Sequence, residues 1–132
     1  MNIQRASSGS RWEAKVGYCR ALRVGTQIFV SGTAPSDDQG GTFAPGDAYA
    51  QTRRCFEIIQ TALQALDADL SHIVRTRLYV TDLAHWEDFA RAHQELFGAH
   101  PPASCMVEIQ ALINPDMLVE VEADAIAPIP PQ

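Results

Sequence analysis

The segment Met117–Ala127 has the sequence MLVEVEADAIA. Along its length, apolar side chains alternate with a second set in which acidic side chains predominate. A strict period of two is typical of a β-strand that has one face in a hydrophobic core. Its acidic residues, Glu120, Glu122 and Asp124, fall on the second face, where three like charges would repel one another on a bare surface. The second face therefore requires a counterpart of opposite charge.

A second alternating segment, Ile73–Val80, provides this counterpart. Its core face is expected to hold Val74, Thr76, Leu78 and Val80, and its other face Arg75, Arg77 and Tyr79. Arginine in place of lysine, mixed with apolar side chains, is typical of a surface that is buried against another subunit. A solvated face with ordinary ion pairs explains the same pattern equally well.

The size and composition of the chain predict a single globular domain. The 132 residues are 46% hydrophobic and 20% charged, which is ordinary for a folded chain with one core. We expect one domain over residues 1–132, with an irregular arm at 1–17 and a Pro-rich tail at 128–132. The net charge of -6 and the pI near 5.0 disfavour nucleic acid as a partner, because nucleic-acid binding needs a basic surface.

The cysteines and the apolar runs indicate the compartment. Cys19, Cys55 and Cys105 are odd in number and lack a C-x-x-C spacing, which favours reduced thiols in a cytosolic protein. The first ten residues contain no apolar signal core, and no apolar run approaches the roughly 20 residues of a membrane span. The sequence therefore predicts a cytoplasmic protein without a membrane partner.

The order of elements predicts an α+β fold, β-β-α-β-α-β-β, with two helices on one face of a mixed sheet. A hairpin with Gly25-Thr26 as its loop starts the series and sets Arg20 opposite Ser31. Asp47 is expected to cap the first helix, which ends near Asp67 in a left-handed residue. Because both helices cover the same face, the other face of the sheet needs a partner, which favours an oligomer.

The second helix and the strand after it complete the prediction. Asp82 is expected to cap this helix, and Gly98 to close it. The strand is expected at residues 104–111, after the rigid pair Pro101-Pro102. The apolar face of the helix is predicted to hold Trp86, Phe89, Ala90, His93, Leu96 and Phe97.

The titratable residues narrow the possible chemistry. His72, His85, His93 and His100 lack metal-ligand spacing, so a metal site is not expected. The sequence places no histidine near Cys105, which favours an inert buried thiol over a nucleophile. Glu120 is the leading candidate, since partial burial at a subunit interface would raise its pKa and suit it to acid–base chemistry. An ion pair of Glu120 with Arg75 or Arg77 is an equal alternative.

Several short stretches then resemble the Rid (reactive intermediate deaminase, or YjgF-like) family. They span roughly residues 17 to 127 in the expected order. The stretches are GYCRA at 17–21, VSG at 30–32, QTR at 51–53, FG at 97–98, PPASC at 101–105 and LVEVEA at 118–123. The resemblance implies a homotrimer of chorismate-mutase-like (bacillus type) fold, with ligand clefts between subunits and with Arg75, Arg77 and Glu122 at the interface.

The same resemblance implies hydrolysis of imines or enamines without a metal or cofactor. Glu120 corresponds to the residue that positions or activates water, and Tyr18, Arg20, Ser31, Ala103 and Cys105 occupy substrate-binding positions. Ala103 stands where the family carries the arginine that holds the substrate carboxylate, so the chain resembles divergent members lacking that residue. Arg20 either substitutes for it or pairs with a carboxylate across the interface.

Two main functions remain open at this point. A hydrolase or deaminase of a small reactive imine is the first, and a non-catalytic trimer that binds a small molecule is the second. Ribonuclease or translation-inhibitor activity, attached to some family names, is the least favoured because the chain is acidic.

Overall fold

The computed structural model describes residues 1–131 and contains one six-stranded sheet. Single 3-10 turns at Leu70–His72 and Leu83–His85 lead into the fourth strand and the third helix. The strands are β1 Ile3–Ala6, β2 Ala21–Val24, β3 Gln27–Thr33, β4 Ile73–Val80, β5 Ala103–Glu108 and β6 Val119–Ile126; the helices are α1 Arg11–Val16, α2 Ala48–Ala65 and α3 Trp86–Phe97.

The sheet has the order β1-β2-β3-β6-β4-β5 and is mixed. Only the β4–β5 pair is parallel among the described strands. Helices α2 and α3 pack on each other, and α2 packs on β3 and β6, so one face of the sheet forms the core with them. The α+β class predicted from the sequence is confirmed, and β6 is a central strand of the sheet.

The N-terminal 17 residues contain a strand and a helix, so the prediction of an irregular arm was wrong. Strand β1 pairs with β2, and the α1 helix begins at Ser10, whose side chain accepts a hydrogen bond from the Trp12 amide. Gly17, with φ of 94°, ends α1. Trp12 is only half-buried, whereas the neighbouring Glu13 is 5% exposed.

The hairpin and the end of α2 follow the sequence prediction closely. Val24 pairs with Gln27, which leaves Gly25-Thr26 as the loop, and the Ser31 amide donates to the Arg20 carbonyl at 2.9 Å. The Asp47 side chain caps α2 by accepting from the Ala50 amide. Asp67 lies in the left-handed region with φ of 60°, as expected for the residue that ends this helix.

Two apolar side chains, Val74 and Trp86, do not lie on the buried faces predicted for them. The register shifts between Ile73 and Arg75, so Ile73 is buried and Val74 is 42% exposed. A β-bulge of this kind reverses the alternation for the residues before it. Trp86 is 54% exposed because it begins α3 directly after the 3-10 turn, which is the element that Asp82 caps.

Arg23 ties three elements together from a buried position. Its guanidinium donates to the carbonyl oxygens of Leu66 at 2.6 Å, Ala127 at 3.1 Å and Pro128 at 2.7 Å, and its Nε donates to Gly25 at 2.9 Å. The end of α2 and the end of β6 are thereby fixed to the hairpin. Beyond Ala127 the described tail, 128–131, has no regular structure, and Gln132 of the predicted 128–132 tail lies outside the described residues.

Candidate functional site

The charged face of the sheet consists of acidic residues on β6 opposite basic and phenolic residues on β4. Arg77 lies 3.2 Å from an Asp124 oxygen and 3.6 Å from Glu122, and Arg75 lies 4.0 Å from Asp124. The Tyr79 hydroxyl donates to Glu122 at 2.6 Å. This hydrogen bond, and to a smaller extent burial, raises the pKa of Tyr79 to about 12. The expected counter-charges are therefore supplied within the protomer.

Glu120 differs from the other two acids of β6, because within residues 1–131 its carboxylate has neither a hydrogen bond nor an ion pair. It is half-buried and lies opposite Tyr79 in the sheet register. Burial raises the pKa of Glu120, the nearby Arg20 guanidinium lowers it, and Glu122 raises it again, so that the net direction is upward. A carboxylate with a raised pKa and free oxygens is suited to proton transfer.

Gly32 lets the backbone of β3 approach this carboxylate closely. The register of β3 against β6 shifts between Val30 and Thr33, and this irregularity carries Gly32 alongside Glu120. A Cβ atom at Gly32 would lie 3.0 Å from Glu120 Oε1 and 3.2 Å from Cδ. The backbone conformation of Gly32 is outside the left-handed region, so the close approach is the feature that requires glycine here.

Arg20 is 5% exposed and uses all of its donors inside the protomer. Its Nη1 donates to the Gly32 carbonyl at 2.6 Å and to the Thr33 hydroxyl at 3.1 Å. Its Nε and Nη2 donate to Glu13 at 3.4 Å, and Nη2 also donates to the Tyr18 hydroxyl at 3.3 Å. An arginine has five N–H donors, so no donor of Arg20 remains for a ligand. Neither interpretation of Arg20 from the sequence anticipated this arrangement.

A cavity of about 410 Å³ opens beside Glu120, at the edge formed by the N-terminal segment and the loop after β3. Tyr18, Arg20 and Glu120 share its wall with Gly32. Ser31 faces a different depression, and its hydroxyl donates to the Cys19 carbonyl at 2.7 Å. The cavity has the size of a small-metabolite site.

Ala103 and Cys105 lie on β5, opposite Arg75 and Arg77 of β4, and line neither the cavity beside Glu120 nor the depression at Ser31. Both are exposed, which makes the expectation of a buried Cys105 thiol wrong. An edge strand carries few covering atoms on either side, and that accounts for the exposure of Cys105. Within one protomer the predicted substrate-binding residues thus fall into separate groups.

Sequence reasoning missed two residues of the site. Glu13 is buried against Arg20, and the spacing Ser10-x-x-Glu13 is a helix-start pattern that could have drawn attention to it. Gly32 was noticed only as part of a short motif, since the shift in the β3 register has no signal in the local sequence. Gly32 lies directly against Glu120, and Glu13 affects Glu120 through its contact with Arg20. Both contacts join segments that are far apart in the sequence.

The described residues lack two kinds of feature. No helix in residues 1–131 is both long enough and apolar enough to cross a membrane. The same residues contain no cluster of three or more His, Cys, Asp or Glu side chains arranged to hold a metal ion.

An α+β domain with a six-stranded sheet, two helices packed on one face and an unpaired carboxylate at a small cavity defines the class of this protein. Residues 8–127 match the sequence pattern of the family described as Endoribonuclease L-PSP. The chain belongs to this family, also known under the names YjgF, RidA and RutC. The resemblance drawn from the sequence is confirmed at the level of the family, and membership of a subgroup without the arginine stays a prediction.

Relatives cover most of the chain. A RutC family protein of Pyrococcus abyssi is 36% identical over 108 residues, which are 82% of this chain and 84% of that protein. The crystal structure of Rv2704 from Mycobacterium tuberculosis, a member of the YjgF/YER057c/UK114 family, is 43% identical. It covers 96% of this chain and 100% of its own, with a TM-score of 0.86. The crystal structure of the YjgF gene product of E. coli is 26% identical in sequence and has a TM-score of 0.77. The match covers 92% of this chain and 93% of that protein.

Proposed function

We propose that this protein is a cofactor-independent hydrolase that deaminates a small reactive imine or enamine, with Glu120 directing the attacking water. The observation that carries the proposal is the carboxylate of Glu120, half-buried at a cavity and without an internal hydrogen bond. Family membership supports the type of reaction.

The proposed reaction needs one group that takes up and returns a proton. The substrate reacts as the protonated imine, a form that an enamine reaches by taking up a proton from solvent at carbon. Ionised Glu120 accepts a proton from water while the water oxygen bonds to the carbon of this protonated imine and the C=N electron pair moves to nitrogen. The protonated Glu120 then gives this proton to the nitrogen of the carbinolamine. The C–N bond breaks, ammonia leaves, and the hydroxyl proton is lost to give a carbonyl compound. A carboxyl pKa raised toward neutrality favours both steps.

We propose further that a homotrimer completes the cleft. The face of the sheet opposite α2 and α3 carries Phe29, 47% exposed, together with exposed Val74 and Ile126 and the Arg75, Arg77 and Glu122 group. Uncovered apolar area mixed with arginine is typical of subunit interfaces. In the trimer a neighbouring β5 would bring Ala103 and Cys105 toward the Glu120 cavity. Sedimentation equilibrium is expected to give three times the 14.5 kDa protomer mass, and a stable monomer would contradict the proposed cleft.

The alternative is a trimer that binds a small molecule without turnover. Ala103 and the fully engaged donors of Arg20 favour it, because neither residue offers a carboxylate-binding group. A ligand that binds only the native state raises the melting temperature. A thermal shift with a small carboxylate or amine, in a protein that releases no ammonia, is the expected result for this function. Ribonuclease activity is the least favoured and is tested by incubating the metal-free protein with RNA.

Ammonia release from enzymatically generated 2-aminoacrylate and from 2-aminomuconate tests the main proposal. The wild type is expected to exceed Glu120→Gln by about a hundredfold or more, the usual contribution of a general acid–base group. A carboxylate-free imine belongs in the same panel, because no arginine stands at position 103. Equal rates for the wild type and Glu120→Gln on every substrate would remove Glu120 from the mechanism.

A further inference from the structure

Glu13 and Arg20 form a buried ion pair directly behind the site. Both residues are 5% exposed, and Arg20 lies 3.4 Å from Glu13 Oε2. The Ser7 hydroxyl donates to Glu13 Oε1 at 2.8 Å, and the Ser8 amide and hydroxyl donate to the same carboxylate. Burial by itself raises the pKa of Glu13, but these serine bonds and Arg20 outweigh it, so the net pKa is lowered and Glu13 stays ionised.

Arg20 also contacts the backbone that abuts the catalytic carboxylate. Its Nη1 bond to the Gly32 carbonyl, at 2.6 Å, fixes the residue whose α-carbon packs against Glu120. Arg20 is close enough to act on Glu120 electrostatically, yet none of its hydrogen bonds reaches that carboxylate within the described chain. A buried guanidinium is stabilised by a carboxylate partner, and Glu13 provides it by accepting from Nε and Nη2 of Arg20.

We propose that Glu13 and Arg20 are a positioning pair for Glu120. Glu13 holds the guanidinium of Arg20 on the Gly32 carbonyl and neutralises its charge, and thereby keeps Glu120 free of an ion pair. The N-terminal helix α1 carries Glu13, so this helix acts on Glu120 through Arg20. The inference deepens the proposed function and rests on it only for the effect on turnover.

Several other titratable or charged groups lie near Glu120. Glu122 precedes Asp124 on the same strand and is already paired with Tyr79 and Arg77. The remaining groups are Tyr79 on β4, Tyr18 before β2, Arg11 on α1, Cys55 and Arg54 on α2, and Asp37 and Asp38 in the loop after β3. Arg54 is engaged by the Ser36 carbonyl at 2.8 Å and by Asp38 at 3.4 Å. Of the three arginines, Arg20 is the one whose charge acts on the pKa of Glu120.

Carboxyl-carbon NMR titration of the free protein tests the pair, with Glu120→Gln used to assign the Glu120 resonance. Glu13→Gln leaves the charge of Arg20 uncompensated, which stabilises ionised Glu120, so its titration midpoint is expected to fall. Arg20→Gln removes the positive charge, so the midpoint is expected to rise. The double variant Glu13→Gln/Arg20→Gln contains no unbalanced charge and should return toward the wild type.

Opposite shifts are the decisive result. A purely structural role would loosen α1, admit water and lower the Glu120 midpoint in both single variants, and that outcome overturns the proposal, as does no shift in either. If Glu13→Gln is too unstable, Glu13→Asp retracts the charge from Arg20 by one methylene and is expected to shift the midpoint in the same direction by less.

Turnover separates this proposal from the proposed function. Glu13→Gln is expected to lower kcat about tenfold or more with little change in KM, and to move the acid limb of the pH profile to lower pH. Opposite NMR shifts in a protein whose wild type releases no ammonia would support the positioning pair and reject the deaminase. Ammonia release without opposite shifts would do the reverse.

Discussion

Replacing Gly32 with alanine is expected to damage catalysis while leaving stability almost unchanged. The added Cβ would lie 3.0 Å from Glu120 Oε1, which is closer than ordinary van der Waals contact, so the carboxylate must move by a few tenths of an ångström. The side-chain end of Glu120 can make this movement, since it has no internal hydrogen bond to hold it in place. The backbone of Gly32 is not in the left-handed region, so alanine adopts the same conformation without strain.

The two effects have different sizes. Misplacing a catalytic group by a fraction of an ångström to one ångström costs up to about a hundredfold in rate. We therefore expect kcat/KM of Gly32→Ala to fall about tenfold to a hundredfold, which corresponds to about 1.4 to 2.7 kcal/mol of transition-state stabilisation. The free energy of unfolding should change by less than about 1 kcal/mol, because alanine restricts the unfolded chain and offsets the contact.

Ammonia release and urea denaturation measure these two quantities, and a double-mutant cycle provides the control. In Gly32→Ala/Glu120→Gln the carboxylate that the methyl group displaces is absent as a proton acceptor, so the double variant should be no slower than Glu120→Gln alone. Wild-type activity in Gly32→Ala, alongside a strong loss in Glu120→Gln, would show that Gly32 does not set the position of the carboxylate.

Three further predictions concern stability and titration. Arg23→Leu leaves buried carbonyl oxygens at the ends of α2 and β6 without a donor, so urea denaturation should show a loss of at least about 3 kcal/mol. The control for Arg23→Leu is Arg5→Leu, because Arg5 is an exposed arginine on β1. This control should change the free energy of unfolding by no more than about 0.5 kcal/mol. Burial lowers the pKa of His93, so the stability that neutral His93 contributes is present above the unfolded value of about 6.5 and is lost as pH falls below it. Thermal unfolding between pH 7 and 5 should therefore depend less on pH in His93→Gln. Ultraviolet titration should find the Tyr79 phenol near pH 12 and, in Glu122→Gln, at a lower pH; an unchanged midpoint would contradict the assigned bond.

Much of the sheet could be predicted because its signals are local and repetitive. The alternation in β6 and β4 identified both strands, and the turn residues at Gly25 and Asp67 fixed the hairpin loop and the end of α2. Each of these features depends on steric preferences within a few consecutive residues. The predicted charge pairing between the two strands followed from their alternation alone.

The immediate surroundings of Glu120 could not be predicted, because they depend on irregularities and on distant segments. The shift in the β3 register brings Gly32 to the carboxylate. It results from tertiary packing, and the local sequence VSGT contains no signal that predicts it. The short α1 helix is stabilised by contacts of Glu13 with Arg20 as well as by its cap. A six-residue helix is marginal by itself, so periodicity could not reveal it.

The charges of the cavity wall constrain which substrates the site can take. Arg20 and Arg54 both line the cavity, but their donors are engaged by Glu13 and Gly32 in one case and by Ser36 and Asp38 in the other. At Arg20 a substrate carboxylate would have to replace a buried, charge-assisted contact, which offers little net gain. At Arg54 it would compete with the exposed carboxylates of Asp38 and Glu57.

Arg11 is the cavity-lining guanidinium that has neither a hydrogen bond nor an ion pair within residues 1–131, and it lies 4.9 Å from the centre of the Trp12 ring. Recognition of a substrate anion in this cavity therefore depends on Arg11 at the start of α1 or on a neighbouring subunit. An uncharged imine meets no such requirement, since it needs only the cavity volume and the carboxylate of Glu120. On the proposed mechanism, the absence of arginine at position 103 would therefore affect which imines are bound, and proton transfer by Glu120 would not depend on it.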